Sequence, residues 1–381
     1  MNKKVLIVNA VPTNNGDAAL VFALRNKLIE KGYDVIISTL KYDTVLNLYP
    51  DVKWIKAEYE FNKFWHKVFR FFPWLRKRIV RRRVIHNEIY NQVDFIISAP
   101  GGYINSYYGI EERMYIMKLI KEKFNIKEVM YSQSVGPLND KDKLVLDKYI
   151  GCFDLFMARD EVSYKNVEAY KNSIRTNDAA FLLNTNISYD EKQNLVAISV
   201  REWGFDGRSK EHYINLIRQM TMKCIDNGNK VEFISTCQGL ENYVDDSKIA
   251  REIIETLDTK YKREVSVDTK YNSLDELRDK IKKYKFVVGT RLHMCILSVM
   301  SGVPAFNISY EVKGKECYKI LDLSEYSIDY NGDIKESLNR LQKFIDKNKE
   351  LRDIYIEKAK TMNVEANKYF DIMINKVVEN R

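Results

Sequence analysis

Phe286-Val287-Val288-Gly289-Thr290-Arg291-Leu292-His293-Met294 decides the fold. An apolar, β-branched run ends at a glycine, and a helical stretch, Arg291–Ser301, opens at once with Gly302 as its stop. A strand passing straight into a helix is the unit from which parallel βαβ sheets are assembled. Arg291 and His293 stand in the first turn of that helix, where backbone N–H groups favour an anion. A cation there opposes the helix dipole, so its presence asks for an explanation. An arginine fork aimed at a phosphate or carboxylate is one. A surface arginine beside a half-buried histidine is the other.

The same alternation runs outward in both directions. Towards the N-terminus, Leu195–Val200 and Lys230–Ser235 read as strands, and Tyr213–Cys224 and Ser273–Lys283 as helices, the first stopped by Gly228. Ala305–Ile308 is the next strand on the other side. A polar stretch at Asn184–Asn194 lacks helical periodicity, and the pattern repeats before it. There Lys4–Asn9, Tyr33–Thr39, Phe95–Ala99, Glu128–Tyr131 and Leu155–Met157 are strands. A helix from Asp17 to Lys31, stopped by Gly32, and others at Glu111–Phe124, Asp140–Cys152 and Asp160–Tyr170 separate them. The fold class is α/β, two doubly wound Rossmann-like domains facing a cleft. The predicted division is residues 1–188, residues 189–350 and a charged C-terminal helix over 351–381 that packs back on the first domain.

In such sheets ligands bind at the carboxyl ends of strands. Arg201 follows the strand Leu195–Val200 directly, either facing a ligand or facing water. Tyr310-Glu311-Val312-Lys313 follows another strand, so Lys313 is a further cation for the site or a solvated one. In the first half, Asn14-Asn15-Gly16-Asp17 joins strand to helix, with Asp17 at the helix N-cap. Gly101-Gly102 permits close backbone approach to a ligand. Ser132-Gln133-Ser134-Val135-Gly136-Pro137 places three hydrogen-bonding side chains after a short strand. The chain has no GxGxxG fingerprint and no GxxxxGK[ST] loop, which disfavours NAD or ATP chemistry.

Composition narrows the classes further. The 381 residues are 45% hydrophobic with only 15 Gly and 6 Pro, enough for two cores with little linker. Five scattered cysteines form no CxxC pair and no zinc spacing, so neither a metal nor a disulfide framework is expected. The opening apolar run is too short for a signal peptide, and no stretch reaches a membrane span. The expected location is the cytoplasm.

The net charge of +9 is concentrated. Between Lys63 and Tyr90 lie nine Lys/Arg against one acid, Glu88. Phe61, Phe64, Trp65, Val68, Phe69 and Phe72 recur there at helical spacing, and Trp74 follows. The segment 61–90 is therefore an anionic-membrane surface at the inner face of the cell membrane, or a helical pair that packs its aromatics and solvates its charges. No nucleic-acid module is recognisable, so no nucleic acid is expected as a partner.

Six short motifs occur in register: Asn15-Gly16-Asp17, Gly101-Gly102, Ser132-Gln133-Ser134-Val135-Gly136-Pro137, Ala158-Arg159-Asp160-Glu161-Val162-Ser163, Asp178-Ala179-Ala180-Phe181 and Gly289-Thr290-Arg291-Leu292-His293. Gly302-Val303-Pro304, Tyr310 and Lys313 extend the series. Together they resemble the polysaccharide pyruvyl transferase family. Pro100 departs from the pattern, standing where family members often carry another glycine, and Phe61–Tyr90 matches no motif.

The resemblance implies a GT-B-like fold with the donor side in the second domain and the acceptor side in the first. It implies phosphoenolpyruvate as co-substrate, no other cofactor, and a glycan or lipid-linked oligosaccharide acceptor that receives a pyruvate ketal as phosphate is released. Arg201, Arg291, His293 and Lys313 would bind the donor, the first three also serving catalysis. Asn15, Asp17, Gly101, Gly102, Gln133, Ser134 and Asp178 would line the acceptor side. A donor with roughly three negative charges suits two arginines, a helix N-terminus and Lys313. His293 would protonate the enol methylene or assist the phosphate. Asp17 and Asp178 are both open as the base. Two rival readings are a GT-B glycosyltransferase using a nucleotide sugar and a non-catalytic glycan-assembly relative.

Overall fold

The computed structural model describes residues 3–185, 187, 194–204 and 207–378. It contains two parallel sheets, one in each of two compact units. The first sheet is built from β1 (Lys4–Ala10), β2 (Asp34–Thr39), β3 (Trp54–Lys56), β4 (Phe95–Ser98), β5 (Gly101–Ile104), β6 (Lys127–Val135), β7 (Leu155–Ala158) and β8 (Ser173–Arg175). Its order is β3-β2-β1-β4-β6-β7-β8, with β5 pairing beside β6. The second has β9 (Leu195–Ser199), β10 (Lys230–Phe233), β11 (Val265–Val267), β12 (Val287–Gly289), β13 (Ala305–Ser309) and β14 (Ser327–Asp329), ordered β11-β10-β9-β12-β13-β14. Winding reverses between β1 and β4 in one sheet and between β9 and β12 in the other. Those crevices are where doubly wound folds hold ligands.

Every strand expected from the sequence lies on an observed one. The five that the sequence did not reveal are β3, β5, β8, β11 and β14, each three or four residues long. Four of them close the edges of the two sheets. Edge strands face water on one side, so Trp-Ile-Lys, Ser-Ile-Arg, Val-Ser-Val and Ser-Ile-Asp lack the continuous apolar run that marks a buried parallel strand.

Several local expectations change. The first helix begins at Asn15, and its cap is Asn14, whose Oδ1 accepts from the Asp17 N–H at 3.0 Å. Asp17 is thus the third helical residue and not the cap. Gly101-Gly102 is part of β5, and Ser132, Gln133 and Ser134 lie within β6, which runs on to Val135. The helix expected over Asp160–Tyr170 ends at Lys165, where Asn166 donates its amide to the carbonyls of Val135 and Val162.

The first unit comprises the chain through Thr13, Leu20–Leu182, and the C-terminal stretch from Ala366. The second comprises Asn14–Ala19 and Leu183–Glu365. The opening turn of the Asn15–Glu30 helix is therefore counted with the second unit, and the long helix Asn348–Val378 is shared between the two. Of the polar stretch 184–194, residues 186 and 188–193, including the expected boundary at 188, lie outside the described residues.

The core of the first unit runs from Leu6, Ile96, Met130 and Phe156 to Met114, Met117 and Ile120 of the helix Glu111–Phe124. Val80 and Val84 of the basic segment join it. In the second unit the helix Leu292–Met300 is buried along nearly its whole length, which explains why it is apolar all round.

Candidate active site

In the second unit the site grows from the carboxyl ends of β9 and β12, neighbours in the sheet on either side of its switch point. Gly289 ends β12, and a Cβ built on it would fall 2.5 Å from the Cys295 Sγ. The absent side chain lets strand and helix meet without a loop. Thr290 donates its N–H to Ser199 O at 2.7 Å, locking the start of the helix to the end of β9. The Tyr213 hydroxyl accepts from the Arg201 N–H at 3.0 Å and lies 2.7 Å from Thr290 Oγ1. Tyr213, itself stacked on Tyr330 at 4.2 Å, thereby ties the two strand ends together.

Arg291 is the N-cap residue of the Leu292–Met300 helix. Its Nε and Nη2 donate to the two carboxylate oxygens of Asp246, both at 2.7 Å. Asp246 is buried and also accepts from Ser235 Oγ at 2.5 Å. Burial works against the guanidinium charge, but the charge and hydrogen bonds of Asp246 outweigh it and hold the group above its ordinary value. Here is the explanation the unfavourable first-turn cation asked for: a buried counterion from another loop.

Arg201 takes a different setting. It donates from Nη1 to the Tyr310 hydroxyl, and its guanidinium lies 4.7 Å over both the Trp203 and Tyr310 rings. Two aromatic faces fix the plane of the fork. Lys313 lies 5.7 Å over the Tyr310 ring and pairs with Glu311 at 2.5 Å. Burial would raise the Glu311 carboxyl, but the charges of Lys313 and Arg201 bring it below the usual range. Lys313 is thus part of the same cluster as Arg201.

His293, half-buried, is the second residue of the Leu292–Met300 helix. The Gly16 backbone packs against its ring: a Cβ on Gly16 would stand 2.8 Å from Nδ1. Asn15 holds that backbone in place, donating its N–H to Thr236 O at 2.8 Å and its side-chain amide to Asn272 O at 2.9 Å. Asp17 accepts from Asn14 Nδ2 at 2.7 Å. The buried Cys237 thiol is pushed up to about 12, first by desolvation, and it feels the charges of Arg291, Asp246, Arg201 and Asp17.

In the first unit a second polar cluster centres on Arg159, buried at the end of β7. Its Nη1 pairs with Asp178 Oδ2 at 3.0 Å and its Nε donates to Ser134 Oγ at 2.5 Å. Gly102 brings its backbone near, with a built Cβ 3.5 Å from Arg159 Nη2. Asp178 Oδ1 accepts from the Ala180 N–H at 2.9 Å. Both carboxylate oxygens of Asp178 are engaged, so it anchors this cluster. Gln133 is buried beside Ser134, donating to its carbonyl at 3.0 Å, and Gly101 packs near the Tyr103 ring.

The structure so divides the residues singled out in the sequence. Arg201, Arg291, His293, Lys313, Asn15 and Asp17 belong to the second unit, and Gly101, Gly102, Gln133, Ser134 and Asp178 to the first. Asn15 and Asp17 fall within the expected first domain, 1–188, but are counted with the second unit. Asp246, Trp203 and Arg159 were missed as site residues. Trp203, two positions beyond Arg201, carried a readable signal, and Arg159 stood within a quoted motif; Asp246 carried none. Among the described residues no group of three or more His, Cys, Asp or Glu could hold a metal ion.

Two doubly wound parallel-sheet units, the second with a cationic site at its switch point, define a fold of the GT-B type. Solved structures of like fold include a putative UDP-N-acetylglucosamine 2-epimerase from Listeria monocytogenes, TM-score 0.61 at 12% identity, covering 100% of this chain and 98% of that one. HepE of Anabaena, in complex with UDP and glucose, gives 0.61 at 10% identity over 98% and 99% of the two chains. MurG of Acinetobacter baumannii gives 0.53 at 9% over 98% and 99%. At such identities the likeness is one of fold alone.

The sequence itself goes further: residues 14–312 match the family described as polysaccharide pyruvyl transferase, and the chain belongs to that family. The amylovoran biosynthesis protein AmsJ of Erwinia amylovora is 28% identical over 263 residues, a match spanning 62% of this chain and 62% of that relative's length.

Proposed function

We propose that the chain transfers a pyruvyl group from phosphoenolpyruvate to two hydroxyls of one sugar in a polysaccharide precursor, forming a ketal and releasing phosphate. The observation that carries this reading is the pair Arg201 and Arg291, emerging from adjacent strands at a switch point, with His293 one residue beyond Leu292. Arg201, its plane fixed by Trp203 and Tyr310, presents its fork to the donor. Arg291, whose Nε and Nη2 are taken by Asp246, acts as a fixed charge and offers Nη1. Lys313 and the helix N-terminus complete the match to a small trianion.

The chemistry then balances. His293 protonates the enol methylene carbon, and C2 becomes electrophilic. The first sugar hydroxyl adds to C2 and gives its proton to Asp17 or solvent. The C2–O bond to phosphate breaks, the phosphate leaving with its bonding pair. The second hydroxyl closes the ketal. Of the two hydroxyl protons lost, one replaces that given by His293 and the other leaves with phosphate. The acceptor of this reading is a lipid-linked glycan met on the cytoplasmic side, where phosphoenolpyruvate is made.

The test is phosphate release from phosphoenolpyruvate in the presence of saccharides bearing adjacent free hydroxyls, with the product read by mass. Saccharide-dependent phosphate release with a ketal mass gain supports the proposal. A nucleotide-sugar reaction is the second reading, favoured by the UDP-containing complex among the like folds. Transfer from a UDP-sugar with no release from phosphoenolpyruvate would establish it.

A further inference from the structure

We propose that the helical hairpin of residues 63–85 is a docking surface for an anionic lipid membrane. The hairpin consists of helices Lys63–Phe71 and Pro73–Ile85, joined at Phe72. This surface stands apart from the reaction, and its test needs no turnover.

Its inner side is anchored. Val80 and Val84 are buried in the core of the first unit. Arg76 forks onto Glu112 with both bonds at 2.6 Å and lies over the Phe61 and Phe69 rings. Arg83 donates to the carbonyls of Glu58 and Glu60 and lies 4.3 Å from the Phe61 ring centroid. Trp65 stacks on Phe69 at 5.4 Å. The stripe expected from the sequence is therefore split: Phe61, Trp65, Val68 and Phe69 turn inward, while Phe64 and Phe72 do not.

The outer side is apolar where a water-facing helix should be polar. Phe64, Phe71, Phe72 and Trp74 are 66%, 76%, 51% and 61% exposed. At about 100° per residue, Phe64, Lys67 and Phe71 share the face opposite buried Phe69. By the same spacing Trp74, Arg78, Arg81 and Arg82 fall within an arc of about 100°, with Arg78 and Arg82 opposite Val80 and Val84 and Arg81 at its near edge. Lys63, Lys67, Arg70, Arg78, Arg81 and Arg82 have no acid within salt-bridge distance among the described residues, whereas Arg76 and Lys77 pair with Glu112 and Glu111.

The partner follows from that mixture. Six cations without an acidic partner call for an anionic surface, and the exposed Phe64, Phe71, Phe72 and Trp74 for an apolar layer beneath it. Single-stranded nucleic acid is held along basic grooves, whereas Phe71, Phe72 and Trp74 sit at the tip of a hairpin. Aromatic side chains at headgroup depth with Lys and Arg among phosphates is the arrangement of an interfacial membrane contact.

The test is sedimentation of the full chain with vesicles of phosphatidylglycerol and phosphatidylcholine, against phosphatidylcholine alone. Wild type is expected to bind the first only and to be released as salt shortens the Debye length. The variant Arg78→Ser, Arg81→Ser, Arg82→Ser should lose about a hundredfold in partition, roughly fivefold per cation. The variant Phe71→Ser, Phe72→Ser, Trp74→Ser should lose about tenfold while keeping its salt dependence. All six side chains are exposed, so circular dichroism should be unchanged in both. Failure of wild type to bind anionic vesicles at low salt, or equal binding by both variants, overturns the proposal. So does an aromatic variant that binds vesicles like wild type while wild type takes up a single-stranded oligonucleotide equally tightly: the hairpin is then a general polyanion surface.

Discussion

Asp246 sets the character of the second unit's site. It is buried, it occupies the Nε–Nη2 edge of the Arg291 fork, and it converts an arginine that read as a donor clamp into a fixed, preorganised charge. Removing one partner of such a pair leaves the other charged and unpaired, at a cost of about 3–5 kcal/mol. Asp246→Asn should therefore lower the Tm as much as Arg291→Ala does, and a thermal melt that moved for neither would deny the pair its structural weight. His293 is tested differently. His293→Gln keeps a hydrogen-bond donor but cannot transfer a proton, so turnover should fall by ~10²–10⁴-fold with donor affinity nearly unchanged. Retained turnover would make His293 a binding residue. At this scale the sequence showed the strand-end arginine and the Arg-Leu-His turn, because both are local patterns. It could not show Asp246, whose partner lies 45 positions away.

At the scale of elements, close approach of backbone decides what the helices can present. Gly16 packs on His293, so Gly16→Ala should push the imidazole aside. The expected outcome is an activity loss of about tenfold or more, since small misplacements at a reacting centre are costly. The variant should melt near the wild-type temperature; wild-type activity would mean that the ring shifts freely. Strand β6 carries a second consequence. Glu128 is fully buried there, and desolvation above all raises its carboxyl well above the ordinary 4.5, with the Asp154 charge adding to the shift and Lys121 opposing it. A group raised in the folded chain gives its full stability below the unfolded value and withdraws it as pH climbs towards the folded one. Glu128→Gln cannot ionise, so its Tm should fall less than that of wild type between about pH 5 and 8. Parallel Tm profiles for the two would contradict this assignment. Central strands and long helices were legible as apolar runs and periodicity. The short edge strands were not, because half their side chains face water, and β5 hid behind Gly101-Gly102 and their usual meaning as a turn.

For the whole molecule, the two doubly wound sheets follow from the repeated passage of apolar run into amphipathic helix, and the family match over residues 14–312 accords with the order of the six motifs. The assignment of residues to units was less legible. Asn15 and Asp17 precede most of the first sheet in sequence, yet Asn15 bonds to Thr236 and Asn272, and its turn is counted with the second unit. No periodicity can signal such long-range bonds. The basic segment was readable as a helical, cationic, aromatic stretch, but which cations remain unpaired depends on Glu111, Glu112 and the Glu58 and Glu60 carbonyls.

The central claim is that the second unit's cations recognise phosphoenolpyruvate. Titration calorimetry with phosphoenolpyruvate, set beside UDP-sugars, tests it most directly. The expected result is saturable phosphoenolpyruvate binding, weakened ten- to a hundredfold in Arg201→Ala by loss of a charge-assisted contact of ~1.5–3 kcal/mol, with no heat from the UDP-sugars. Saturable binding of a UDP-sugar, with none of phosphoenolpyruvate, would contradict it.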